Sequence, residues 1–129
     1  MQGRHLYEYA VIRLVPRVER GERLNIGVVL YCRGLDFLSA IITVDEQRLQ
    51  VFSPGTDITE IRSAAKAFHD ICAGANTSPI ARLDKASRFR WLTAPRSTVV
   101  QTSRVHPGFC DDAAATLQRL HRELVLQEV

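Results

Sequence analysis

Arginine is the residue type in this chain that points most directly to chemistry. Of 17 basic residues, 15 are arginines, and only Lys66 and Lys85 are lysines. The distribution is uneven. From residue 82 to 104 stand Arg82, Lys85, Arg88, Arg90, Arg96 and Arg104 against Asp84 alone, a local charge of +5 in a chain whose total is +3. The opening segment adds Arg13, Arg17, Arg20 and Arg23, offset by Glu19 and Glu22. A guanidinium fork matches the oxygens of phosphate or carboxylate in two-point contacts. Arg13, Arg88, Arg90, Arg96 and Arg104, with His106, are therefore the candidate anion-binding set. Thr93, Ser97 and Thr98 add hydroxyl donors nearby. The plain alternative is that these arginines pair with acids on solvated faces, as surface charge runs usually do.

Nucleic acid is one anionic partner to weigh. Single-strand binders interleave cations with exposed stacking aromatics. Arg88-Phe89-Arg90-Trp91 has those letters, but read as a strand it puts Phe89 and Trp91 on the face opposite the arginines, where they belong to the core. No helix-turn-helix, zinc-finger or RNA-recognition signature is present, so nucleic acid is disfavoured as a partner without being excluded. His69 with Cys72 and His106 with Cys110 are ligand-type pairs, yet their spacing fits no zinc framework, and no metal or cofactor is assigned. Cys110 beside His106 is the nearest approach to a nucleophile–base pair. Asp111 and Asp112 oppose a thiolate there, and no phosphate-binding glycine loop or nucleophile elbow occurs, so no catalytic residue is assigned.

The elements that must position these residues follow from patterning. Leu6–Val15, Leu24–Cys32 and Phe37–Val44 read as strands of an antiparallel meander joined by short turns. Gly27 inside the second marks a bulge or a close backbone approach, and Asn25 a bond across that bulge or to backbone. Asp45–Phe52 reads as a short helix. Asp57 and Glu60 form a capping-box pattern, after which Ile58, Ile61, Ala64, Ala65, Phe68, Ile71 and Cys72 share one helical face, and Gly74 sits at the C-cap. Ser78-Pro79 opens a further short helix to about Ala86. Arg88–Leu92 and Ser97–Ser103 read as strands four and five, His106-Pro107-Gly108 as a break, and Asp111 as the cap of a final helix. The expectation is one α+β domain over residues 1–129: a mainly antiparallel sheet of about five strands with two main helices packed on one face. Strand 1 is apolar on both sides, so the second face is expected to meet a partner or another copy, as in a homodimer.

Composition frames this reading. A chain of 129 residues, 46% hydrophobic and 24% charged, has enough apolar surface for a core without disulfide or metal. No apolar run approaches the ~20 residues of a membrane span, so no membrane association is expected. Met1 to Val15 has no signal-peptide pattern, and three widely spaced cysteines suit a reducing cytoplasm.

Three stretches look familiar together: Tyr-Glu-Tyr-Ala-Val-Ile-Arg-Leu-Val-Pro at 7–16, Arg-Gly-Glu-Arg-Leu-Asn-Ile-Gly-Val-Val-Leu at 20–30, and Arg-Phe-Arg-Trp-Leu-Thr-Ala-Pro-Arg-Ser at 88–97. In that order they resemble the small bacterial proteins of domain-of-unknown-function family 3037. The resemblance implies a stand-alone bacterial protein and carries over no activity and no site residue. The leading functional expectation is a non-enzymatic binding or adaptor module that presents an arginine-rich sheet surface. The alternative is a small enzyme or nucleotide-binding protein in which the arginines converge on phosphates beside His106.

Overall fold

The computed structural model describes residues 4–17, 20–75 and 78–126. Part of the turn expected at 17–23, with Glu19, lies outside these described residues, as does the very start of the chain. Three long strands open the fold: β1 (His5–Leu14), β2 (Leu24–Cys32) and β3 (Phe37–Ile42). All are antiparallel, with Ala10 opposite Val29 and Leu30 opposite Ser39. Two short strands, β4 (Val100–Thr102) and β5 (His106–Cys110), lie end to end along the free edge of β1. Ser103 stitches this junction. Its buried hydroxyl accepts the Val11 N–H at 2.9 Å and donates to the Arg104 carbonyl at 2.8 Å.

Four α-helices complete the α+β fold: α1 (Glu46–Phe52), α2 (Ile58–Ala73), α3 (Lys85–Thr93) and α4 (Ala113–His121), the last closing in a π turn at Arg122–Leu126. Caps set their ends. Asp45 and Asp57 each accept two backbone N–H groups at the start of α1 and α2. Gly74 ends α2 in the left-handed conformation, φ 70°, which glycine adopts without steric cost. The cap of α4 is Asp112 rather than Asp111.

The helices cover both faces of the sheet, not one. Ala10, Ile12, Leu14, Val29 and Leu38 pack with Leu49 of α1, Ile61 and Phe68 of α2, and Phe89 and Leu92 of α3. Tyr7, Val28, Leu30 and Cys32 pack on the other side with Ala113, Leu117 and Leu120 of α4 and with Val125. The two-sided hydrophobicity of β1 is thus satisfied within the chain, because α4 takes the face expected for a partner. A bulge at Ile26 lets β2 serve both layers. Ile12 pairs with Gly27 and Arg13 with Asn25, so Ile26 is the extra residue and turns into the α2 side. Gly27 also permits close approach: a Cβ there would lie 2.6 Å from the Ile41 carbonyl oxygen.

Residues 88–92 are not a strand but lie within α3. Asp84 caps the helix by accepting the Ser87 N–H, and burial falls on Phe89 and Leu92, three apart. Pro95 disfavours helix at Ala94 and ends it. The fifth strand comes instead from 106–110. Pro107 is tolerated because β5 is a sheet edge. Gly108 is required because the Tyr7 ring lies across it; a Cβ there would meet that ring at 2.5 Å. Ser78-Pro79 opens only a single 3₁₀ turn, Ile80–Arg82, ahead of α3.

Candidate functional site

The fold separates the six candidate anion-binding residues rather than gathering them. Two residues apart on α3, Arg88 and Arg90 project in nearly opposite directions. Arg88 donates Nη1 to the Leu83 carbonyl at 2.6 Å, just ahead of α3, and Nη2 to the Cys72 carbonyl at 3.4 Å, at the C-terminal end of α2. A cation at a helix C-terminus meets the negative end of its dipole, so Arg88 serves as a capping group. Arg96 stacks 4.2 Å over the Trp91 ring and donates to the Trp91 carbonyl. Arg104 is exposed in the link between β4 and β5. His106 stacks on Tyr9 at 5.3 Å between ring centroids, on the α4 side of the sheet.

Arg90 enters a cleft of about 1050 Å³ at the end of the sheet where β1 begins and β2 ends. Its guanidinium makes a two-point pair with the Glu8 carboxylate, both contacts at 3.1 Å. Those hydrogen bonds hold Arg90 above its ordinary pKa. Lys85 reaches across to Asp36 at 3.1 Å. Tyr31 forms the floor, its ring tilted against Phe89 at 5.6 Å. Arg4 and Arg33 line the rim with His5. The four cations here face three carboxylates, those of Glu8, Asp36 and Asp84. Asp84 stays below its usual carboxylate range because Ser87 hydrogen-bonds to it. Beside the cleft lies an exposed cross-strand pair, Leu6 opposite Phe109, with Arg4 placed 5.9 Å over the Phe109 ring.

Residues 9–125 match the family model described as a protein of unknown function, DUF3037. The chain belongs to that family. No curated protein and no solved structure matches this DUF3037 chain.

The cysteine candidates of this DUF3037 protein serve packing. Its three thiols are free and buried. Burial pushes Cys72 up to about 12 and raises Cys110 as well, with Cys32 adding to the shift, so both are held as neutral thiols. His106 and Cys110 stand at opposite ends of β5, about 13 Å apart along a strand, too far to act as base and nucleophile. His69 is exposed on α2 while Cys72 turns into the core. Among the described residues no group of three potential metal ligands converges. Sequence reasoning missed Glu8, Tyr31, Arg33 and Asp36, which meet only because a hairpin end folds beneath α3. The Asp84–Ser87 cap was the available signal that would have placed Arg90 on a helix facing them.

Arg13 is the one arginine of the set that lies within a strand. It stands between Ile12 and Leu14, which point into the α2 layer, and so faces the α4 side. Burial lowers its pKa and the nearby charge of Arg23 lowers it further.

Proposed function

We propose that the protein is a non-enzymatic binding or adaptor module of the bacterial cytoplasm, and that the cleft over Tyr31 is where it meets its partner. One observation carries this reading: charged side chains from separate elements meet there as held pairs, Arg90 with Glu8 and Lys85 with Asp36, beside exposed Leu6 and Phe109. A mixed-charge rim around apolar surface is the composition of a protein–protein contact. A polyanion would call for a single-sign surface, and four cations against three carboxylates do not form one. Catalysis receives less support from this geometry. Arg13, Arg88, Arg90 and Arg96 do not converge on His106, and the three thiols are buried.

Affinity capture from the native cell tests the reading, with the wild type compared against the double variant Arg33→Glu/Lys85→Glu. Both residues are at the surface of the cleft, and circular dichroism checks that the fold is kept. The expected result is a protein that copurifies with the wild type and is lost from the variant. Recovery of the bare chain in both cases, or equal recovery of the same protein, would refute this role for the cleft.

A further inference from the structure

On the opposite face from the cleft, Arg13 and Arg23 come together, and among the described residues no acid pairs with either of them. Arg13 pairs with Asn25 across β1 and β2, and Arg23 lies two residues before Asn25, diagonally across from Arg13. Such diagonal neighbours are about 7–8 Å apart at Cα, well within the reach of two arginine side chains. Among the described residues neither guanidinium has a hydrogen bond or an ion pair, and the Arg13 Nε is buried without an acceptor. The neighbouring donors are committed elsewhere. Asn25 donates to the Leu124 carbonyl at 3.0 Å, Arg48 to the Val125 carbonyl at 3.0 Å, and Gln101, opposite Arg13 on β4, to the Thr98 carbonyl at 2.8 Å. The carbonyls that close the C-terminal helix are thereby taken by Asn25 and Arg48, not by Arg13. Two cations of like sign, one partly desolvated, repel each other at a cost that a dianion would reverse.

We infer that Arg13 and Arg23 form a binding site for an oxyanion of the phosphate class, either inorganic phosphate or a phosphate monoester. The charge matches: two guanidinium groups face a group carrying about two negative charges near neutral pH. So does the donor geometry, since two forks can each hold two phosphate oxygens, and the buried Nε gains the acceptor it lacks. This site is independent of the cleft and of the adaptor reading.

Thermal unfolding with inorganic phosphate and, separately, O-phosphoserine tests the inference, each against chloride at matched ionic strength. At about ten times the dissociation constant the wild type should gain about 5 °C in melting temperature. A gain with inorganic phosphate identifies the free ion as sufficient; a gain with O-phosphoserine alone identifies an ester as the ligand. Arg23→Gln should melt at or above the wild-type temperature without ligand, because the repulsion is gone, and should lose the ligand-dependent gain. Arg13→Gln should lose it as well, whereas Arg82→Gln, on the far side of the molecule, should keep it. Equal gains in wild type and Arg23→Gln would overturn the site. So would a wild type that neither ligand shifts beyond chloride.

Discussion

Replacing Arg88 by Met separates a capping arginine from a ligand-binding one. Met keeps much of the apolar stem and removes every donor. The wild-type guanidinium donates to the Leu83 carbonyl at 2.6 Å, just ahead of α3, and to the Cys72 carbonyl at 3.4 Å, at the C-terminal end of α2, and so ties the two helices together. The first is short and charge-assisted, worth about 1.5–3 kcal/mol when shielded and less here because it is exposed to water. The second is long and adds little. Against these stands the buried Arg88 Nε, which has no acceptor and costs about 1 kcal/mol that the variant recovers. The net expectation is a loss of about 0.5–1.5 kcal/mol, or about 2–6 °C in melting temperature for a chain of this size. Urea unfolding followed by circular dichroism measures it. Arg88→Lys, with one point charge in place of a fork, should recover only part of the loss. If Arg88→Met were as stable as the wild type, or more stable, the capping role would be wrong.

Three further outcomes follow from the packing. Ser103→Ala leaves the buried Val11 N–H without its acceptor; it should cost about 1–3 kcal/mol and speed hydrogen exchange at the Val11 amide, read by NMR. Gly27→Ala drives a methyl group to 2.6 Å from the backbone oxygen of Ile41, which cannot swing aside, and should destabilise by about 3 kcal/mol in chemical denaturation. Cys72 titrates at about 12 in the fold against 9.0 when free, so the stability tied to its neutral form is complete below pH 9 and is lost as pH rises toward 12. Cys72→Ala should flatten that alkaline decline, and in the native wild type Cys72 should resist alkylation at pH 8 until the chain is unfolded.

The first three strands were legible because each is long, apolar and closed by a turn of a few residues, so local pattern and final pairing agree. The first two helices were legible for a related reason. Asp45 and Asp57 cap them through contacts two and three residues away, and Gly74 ends α2 where only a left-handed residue fits. Arg88-Phe89-Arg90-Trp91 was misread because alternation over four residues suits a strand as well as it suits part of a helix. The buried spacing of Phe89 and Leu92 decides for helix only once a sheet lies beneath them. His106–Cys110 was misread for the converse reason. Its Pro and Gly look like punctuation, yet Pro107 is harmless on an edge and Gly108 is demanded by the Tyr7 ring, a residue 101 positions away.

The sequence by itself determined the α+β class, the meander, the caps of α1 and α2, the family, and the excess of arginine over lysine. These depend on composition or on contacts between near neighbours. Tertiary structure alone decided what each arginine does. Arg88 caps a helix, Arg90 pairs with Glu8, Arg96 covers Trp91, and Arg13 stands beside Arg23 with no acid paired to either among the described residues. A guanidinium on a long, flexible stem finds whatever acceptor the fold brings within reach. That acceptor lies 82 residues away for Arg90 and is missing among the described residues for Arg13, and no local pattern encodes either distance.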